Sequence, residues 1–315
     1  MASSCSLQLD GCDEALMRQA AAAAIAEVQR IEHKFSRYRA QSVIGRINCR
    51  AGLDALEIDA ETSALLDYAG QLWSISDGLF DITSGVLRRA WDFKNASLAQ
   101  PGELSQLLGC VGWQLLERDG KLVRLQRPGM EIDFGGFGKE YAADRAAGVL
   151  QSHGIVHALV NLGGDLHALA ERGLPEFEGA PWRIAIQHPR PEPGRSAPAL
   201  AWLPLSRGGL ATSGDYERFF MHGGQRYCHI LNPKTGWPVS HWQSVSVLAA
   251  NASTAGALST IAMLKGPTAP AWLQQQHANY LAVQADGQIL RNPDLISCAP
   301  ERSPPASGFP HPSTV

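Results

Sequence analysis

Hairpin patterns and helix patterns are interspersed along this chain of 315 residues, and this mixture limits the possible folds more than any other feature. The segment YLAVQADGQILR places an Asp-Gly turn between two apolar runs, which predicts a β-hairpin. The segment DEALMRQAAAAAIAEVQRIEHK favours a long helix whose N-cap is Asp13. Strands and helices do not alternate regularly, and no repeat occurs. We therefore expect an α+β fold with mixed, largely antiparallel sheets and packed helices.

The remaining elements follow from the same signals. Two more helices are predicted, ETSALLDYAGQLWSISDG ending at Gly78 and KEYAADRAAGVLQSHG ending at Gly154. KLVRLQRPGMEIDFGG predicts a hairpin that turns at Pro-Gly. Strands are expected in HALVNLGGDLHALA, WRIAIQHP and SVSVLAA, the last leading into the helix TAGALSTIAMLKG. We expect one domain over residues 1–298 and a disordered, Pro- and Ser-rich tail over residues 299–315.

Composition excludes several classes of function. The net charge is -3 with no long run of either sign, so nothing favours nucleic acid or a membrane surface. The amino terminus lacks the pattern of a secretory signal, and no stretch approaches the ~18 apolar residues of a membrane helix. The six cysteines are scattered without a C-x-x-C pair, which favours reduced thiols. We expect a cytoplasmic protein.

Glycine-rich segments are candidate ligand-binding turns. DFGGFGKEYAAD is expected to run from a strand through glycines into a helix, whose free N–H groups and Lys139 would suit an anion such as a phosphate. Its spacing fits neither common nucleotide motif, so a simple tight turn is equally compatible. NLGGD is either a second such turn or a bulge, and the Asp81 region of GLFDITSG is compatible with a helix cap.

Polar residues concentrate in the segments ATSGDYERFF and HILNPKTGWP. Thr212, Ser213, Asp215, His229 and Thr235 fall within one short interval, separated by a turn at HGGQ. A hairpin would bring them face to face. A lone histidine is more often structural than catalytic, and the absence of G-x-S-x-G argues against a serine hydrolase.

Taken in order, seven segments resemble the FAD:protein FMN transferase (ApbE) family. They are FSRYRAQSVIGRIN, GLFDITSG, IDFGGFGKEYAADRAAGVLQSHGIVHALVNLGGD, WRIAIQHP, LATSGDYERFF, HILNPKTGWPVS and TAGALSTIAMLKG. The resemblance implies binding of FAD and Mg²⁺ and an ApbE-like fold. It also implies cleavage of FAD, with FMN joined as a phosphoester to a Thr or Ser of an acceptor flavoprotein and AMP released.

The resemblance also assigns roles to individual residues. His229 falls at the position of the proposed base, which would remove a proton from the acceptor hydroxyl. The hydroxyl of Thr260 and the carbonyl of Gly138 fall at metal-ligand positions. The residues implied in FAD binding are Asn48, Asp81, Gly135, Gly136, Lys139, Gly163, Gly164, Asp165, Thr212, Ser213, Gly214 and Asp215.

The chain departs from the family pattern at three positions. Gly256 stands where the family has an Asp that binds the metal, Glu140 stands where Gly is common, and Asn232 stands where Asp is common. Mg²⁺ prefers carboxylate and phosphate oxygens, so the loss at position 256 should weaken metal binding. Glu140 either supplies the missing carboxylate or is a solvated residue near a helix start, where negative charge is favourable.

Three functions therefore stay open. The chain is an active FMN transferase, a flavin-binding homologue that no longer transfers FMN and serves as a carrier or regulator, or a hydrolase that splits FAD into FMN and AMP. The first depends on His229, Lys139 and Thr260, and the second on Gly256.

Overall fold

The structure is a computed structural model that describes residues 3–11, 13–190 and 199–292. Seven α-helices lie in these ranges: α1 (Glu14–Phe35), α2 (Val43–Cys49), α3 (Ala60–Ile75), α4 (Pro101–Leu108), α5 (Gly138–Ser152), α6 (Ala252–Lys265) and α7 (Ala269–Gln275). The strands of the same ranges are β1 (Cys5–Asp10), β2 (Leu56–Glu57), β3 (Leu116–Asp119), β4 (Leu122–Leu125), β5 (His157–Leu162), β6 (Asp165–Ala168), β7 (Trp182–Ile186), β8 (Ala201–Leu205), β9 (Gly208–Gly214), β10 (Phe219–His222), β11 (Gln225–Cys228), β12 (Trp242–Ala249), β13 (Asn279–Gln284) and β14 (Ile289–Arg291). A 3-10 helix covers Ile82–Ala90.

A seven-stranded sheet in the order β1-β5-β6-β9-β12-β13-β14 forms the centre of the molecule. Every neighbouring pair in it is antiparallel. Smaller sheets are formed by β2-β4-β3, β7-β8 and β10-β11. The expected α+β class with antiparallel sheets is confirmed.

Helices cover one face of the large sheet. Alanines let α1 and α5 approach closely, because Ala20 and Ala24 of α1 are buried, as are Ala143 and Ala147 of α5. Helix α6 packs on β9 and β12 and also on α5, so most of its surface is buried. This arrangement holds the first turn of α5 against α6.

The opposite face of the sheet is covered by the hairpin of β7 and β8. Trp182, Leu203 and Leu205 from the hairpin form a core cluster with sheet residues that include Leu166 and Leu210. A third cluster, around Trp91 and Phe220, packs the 3-10 helix against the β10-β11 hairpin.

Local sequence signals predict most of these elements correctly. Asp13 caps α1 by accepting a hydrogen bond from the backbone N–H of Leu16 at 2.9 Å. The hairpin of β13 and β14 turns at Asp286 and Gly287, as expected.

The predicted hairpin at Pro128-Gly129 is wrong. Strands β3 and β4 pair Asp119 with Leu122 and turn at Gly120, whose φ of 57° only glycine adopts readily. The chain after Pro128 forms no strand before α5. The Asp-Gly turn, which joins two short apolar runs, therefore determines the pairing.

In the described ranges, every helix is too short or too polar to cross a membrane. Cys5, Cys49, Cys110 and Cys228 are free thiols, and the other two cysteines fall outside those ranges. The predicted tail over residues 299–315 and the domain boundary at residue 298 also lie outside the described residues.

Candidate active site

The first turn of α5 supplies a lysine that faces the turn between β5 and β6. Lys139 forms an ion pair with Asp165, with 2.6 Å between Nζ and Oδ2, and it donates to the carbonyl of Gly163 at 3.3 Å. Asp165 is only 3% exposed. Desolvation lowers the pKa of Lys139, but the charges of Asp165 and Glu140 outweigh it and the pKa is raised. Lys139 is therefore positively charged at neutral pH.

The NLGGD segment is a two-residue hairpin turn rather than a bulge. Leu162 pairs with Asp165, and Gly163 and Gly164 have φ angles of 62° and 92°, which strongly favour glycine. The N–H of Gly163 donates to the carbonyl of Ser4 at 2.9 Å. This contact fixes the position of the Gly163 carbonyl that Lys139 binds.

Glu140 is a buried carboxyl group beside Asp165. The residue is 7% exposed, and its Oε2 atom has no hydrogen-bond partner among the described residues. Desolvation, followed by the negative charge of Asp165, raises the pKa of Glu140 well above its usual value. The alternative that Glu140 is a solvated helix residue is therefore wrong.

Gly256 of α6 provides the space in which the Glu140 side chain lies. A Cβ atom at position 256 would be 2.5 Å from Cγ, 2.9 Å from Cδ and 2.8 Å from Oε1 of Glu140. These distances are shorter than any real van der Waals contact. The carboxyl group of Glu140 thus occupies the volume that a side chain at position 256 would need.

Hydroxyl groups of β9 and α6 form a polar cluster next to this pair. Ser213 Oγ lies 2.8 Å from Ser259 Oγ and 2.9 Å from Thr260 Oγ1. Thr260 follows Gly256 by one helical turn, so the two residues share a face of α6. The carboxyl group of Glu140 therefore lies on the face of α6 that also carries the Thr260 hydroxyl.

His229 follows β11, and its side chain is exposed. Its Nδ1 atom lies 3.3 Å from the carbonyl oxygen of Arg218, which can only accept, so Nδ1 carries the proton and Nε2 has a free lone pair. Desolvation lowers the pKa of His229, the hydrogen bond to Arg218 opposes this, and the charges of Arg218 and Lys139 lower the pKa further. His229 is therefore neutral near pH 7 and within the electrostatic range of Lys139.

The expectation that a single hairpin brings Thr212 and Ser213 opposite His229 is wrong. Strand β10 pairs with β11, whereas Thr212 and Ser213 belong to β9 and pair with β12 in the large sheet. Thr212 Oγ1 contacts Ser246 Oγ at 2.8 Å instead. The hairpin packs against the 3-10 helix instead, so its own register does not place His229 opposite β9.

Asn48 and Asp81 have their polar atoms engaged by backbone groups. Asn48 donates through Nδ2 to the carbonyl of Ile132 at 3.0 Å and accepts from its N–H at 2.8 Å. Asp81 caps the 3-10 helix by accepting from Thr83 N and Oγ1, and also from the N–H of Trp113 at 2.9 Å. Asn48 therefore holds the segment that leads to α5, and Asp81 holds the start of the 3-10 helix to Trp113.

Asp215 forms an ion pair, and three of the predicted glycines lie in tightly packed places. Asp215 is buried and forms a bidentate ion pair with Arg190 at 2.7 and 2.6 Å. Added Cβ atoms would lie 2.7 Å from the Phe80 ring at Gly136, 2.3 Å from the Tyr216 ring at Gly214 and 3.0 Å from Asp133 Oδ2 at Gly135. Packing therefore favours glycine strongly at positions 136 and 214, whereas the contact at Gly135 is only tight.

Sequence analysis missed Ser259 of the cluster, and it included Tyr216 only as part of the segment TSGDY. Desolvation, together with the negative charges of Glu217, Asp215 and Asp165, raises the pKa of Tyr216 to about 12. Ser259 directly precedes Thr260, so its place beside a predicted metal-ligand residue was the signal that could have identified it. No local pattern indicates that Tyr216 lies close to Asp165.

Among the described residues, no group of three or more His, Cys, Asp and Glu side chains is placed to hold a metal. A cation site here would therefore use hydroxyl and carbonyl oxygens beside the carboxyl groups. Two depressions of about 140 and 290 Å³ lie elsewhere, one beside Arg183 and Trp202 and the other beside Leu281 and Arg291. Neither contains a residue of the cluster.

Comparisons of sequence and of structure with known proteins all point to the ApbE family. The sequence profile of the ApbE family matches residues 1–283. A FAD:protein FMN transferase of Vibrio cholerae is 30% identical over 246 residues, which cover 76% of this chain and 71% of that protein. The crystal structure of the ApbE protein of Thermotoga maritima has a TM-score of 0.81 at 31% identity, covering 92% of this chain and 94% of its own. The apo form of the Pseudomonas stutzeri flavinyl transferase ApbE has a TM-score of 0.75 at 27% identity, covering 91% and 89%.

Proposed function

The chain belongs to the ApbE family of transferases, and we propose that it cleaves FAD and attaches the FMN half to an acceptor flavoprotein. The acceptor oxygen is a Thr or Ser hydroxyl. It attacks the phosphorus on the FMN side of the diphosphate, the bond from that phosphorus to the bridging oxygen breaks, and AMP leaves. The product is a phosphoester between FMN and the acceptor.

The position of Lys139 at the start of α5, where Asp165 and the carbonyl of Gly163 hold it, carries this proposal together with the family match. Desolvation lowers the pKa of His229 and the charges of Arg218 and Lys139 lower it further, so its imidazole is neutral near pH 7. Lys139 binds the diphosphate oxygens, and His229 accepts the proton of the acceptor hydroxyl at Nε2. A neutral base beside an anion-binding cation is the combination that transfer from a diphosphate to an alcohol requires.

The surrounding residues form the proposed FAD cleft. The turn of Gly163 and Gly164 with Asp165, and the residues from Thr212 to Asp215 at and after the end of β9, line the cleft around Lys139. Asn48, Asp81, Gly135 and Gly136 form its other wall, where Asn48 holds the segment before α5 in place. His229 is exposed as a residue, so a second protein can approach it.

Mg²⁺ is the proposed metal, bound by the hydroxyl of Thr260 and the carbonyl of Gly138. The oxygen-rich surroundings fit it, because Ser213 and Ser259 place further hydroxyls at Thr260 and a buried carboxyl oxygen lies on the same face of α6. When bound, Mg²⁺ neutralises negative charge on the diphosphate and on the leaving phosphate.

The proposal is tested with purified protein, FAD, Mg²⁺ and a candidate acceptor flavoprotein, by following AMP release and the mass of the acceptor. AMP release together with a mass gain of one FMN supports the transferase. AMP release with free FMN refutes transfer and identifies an FAD pyrophosphate hydrolase. Bound FAD without AMP refutes catalysis and identifies a flavin carrier or regulator. The matched variant His229→Ala should bind FAD but release little AMP.

A further inference from the structure

The buried carboxyl groups of Glu140, in the first turn of α5, and Asp165, at the start of β6, have only one cationic side chain of the described part of the chain, Lys139, beside them. Lys139 lies 2.6 Å from Asp165 and so compensates that carboxylate, but Glu140 lies beside the same pair with its Oε2 atom unpartnered. A buried carboxylate without a partner is strongly unfavourable. Lys139 is thus paired with Asp165, and the buried Oε2 atom of Glu140 is left as an oxygen that a cation could bind.

The oxygen atoms around Glu140 are those that a hard cation prefers. The carboxyl group lies against Gly256, on the face of α6 that carries Thr260, and Ser213 contacts the Thr260 hydroxyl at 2.9 Å. Thr260 is only partly buried, whereas Gly256 on the same face of α6 is buried. Carboxylate and neutral oxygens from two helices and one strand suit Mg²⁺ or Mn²⁺.

We propose that Glu140 supplies the carboxylate ligand of the divalent cation in this chain, from α5, in place of a side chain at position 256 of α6. This inference rests on the proposed function for the role of the cation. The carboxylate can come from position 140 or from position 256 but not from both, because a Cβ atom at position 256 would be 2.5 Å from Glu140 Cγ.

The test is binding of Mn²⁺, measured by electron paramagnetic resonance, without FAD and with FAD. The variants are Glu140→Gln, the exchange variant E140G/G256D, and Asp144→Asn as the matched control. Asp144 is one turn further along α5, and its carboxylate is already satisfied by Ala252 and Ser253 of α6. We expect Glu140→Gln to weaken Mn²⁺ binding by at least about 10-fold, Asp144→Asn to leave it unchanged, and the exchange variant to restore it.

Thermal unfolding separates a ligand role from a structural role. In EDTA, Glu140→Gln should unfold at a temperature no lower than the wild type, since the amide has nearly the same shape and the replaced Oε2 atom makes no hydrogen bond. Excess Mg²⁺ should then raise the unfolding temperature of the wild type and of the exchange variant, but not that of Glu140→Gln. A Glu140→Gln protein that is destabilised in EDTA yet still gains stability from Mg²⁺ would overturn the inference.

Other outcomes also decide the matter. Wild-type affinity for Mn²⁺ in Glu140→Gln, or no Mn²⁺ binding by the wild type in either condition, overturns it. A folded exchange variant that binds Mn²⁺ no better than Glu140→Gln overturns the exchange of positions. Failure of the proposed function appears separately, as a wild type that binds Mn²⁺ through Glu140 but neither binds FAD nor releases AMP.

Discussion

A methyl group added at Gly256 should destabilise this protein, although the same change normally stabilises a helix. Replacing Gly by Ala inside a helix gains about 1 kcal/mol. Here the new Cβ atom would lie 2.5 Å from Glu140 Cγ and 2.8 Å from Oε1. Overpacking of a buried site costs about 1–3 kcal/mol, so we expect Gly256→Ala to lower the free energy of unfolding by roughly 0–2 kcal/mol.

Removing the Glu140 side chain should reverse the sign of this effect. In an E140A background the methyl group meets no side chain at position 140, so Gly256→Ala should stabilise the protein by about 1 kcal/mol. The coupling energy of the double-mutant cycle is then about 1–3 kcal/mol. Urea unfolding in EDTA measures all four proteins without a contribution from bound cation.

Gly148 provides the matched control for this cycle. It lies in α5, and an added Cβ atom there meets nothing within 4 Å. Gly148→Ala should therefore stabilise the protein by about 1 kcal/mol in both backgrounds. A coupling energy between positions 140 and 256 below about 0.5 kcal/mol would show that the Glu140 side chain does not lie against Gly256.

Three further predictions concern individual side chains. Because its pKa is lowered, His229 should still be in its base form just below pH 6.5. The rate of AMP release should therefore fall with acid only below pH 6.5, and this fall should be absent in His229→Gln. Asp144 has a lowered pKa, because its hydrogen bonds to His167 and α6 outweigh desolvation. Its carboxylate therefore adds stability above about pH 4, and this stability is lost as the pH falls through the folded-state pKa. Acid unfolding of Asp144→Asn should show a smaller loss of stability over that pH range. Asn48→Ala removes two hydrogen bonds to Ile132, so urea unfolding should show a loss of about 1–3 kcal/mol, and any additional loss of FAD affinity measures contact with the flavin nucleotide.

Residues within a few positions of each other explain the correct sequence predictions. Asp13 caps α1, Asp286 and Gly287 turn the last hairpin, and Gly154 follows α5 with a φ of 82°. Capping, turn formation and helix periodicity all act over one or two turns of chain, so the sequence expresses them directly. The failed hairpin at Pro128 is a local error of the same kind, because two turn signals compete and Asp119-Gly120 determines the pairing.

The order of motifs in the sequence was enough to identify the family and the α+β class, and to select Lys139, Thr260 and His229 as candidates. Sequence also identified Glu140 and Gly256 as departures, but it left open whether Glu140 is solvated. Only the tertiary structure decided that question. The burial of Glu140 depends on how α5 packs against α6 above the sheet, and residues distant in sequence determine that packing. An acid in the first turn of a helix has the same local pattern whether water or a neighbouring helix faces it.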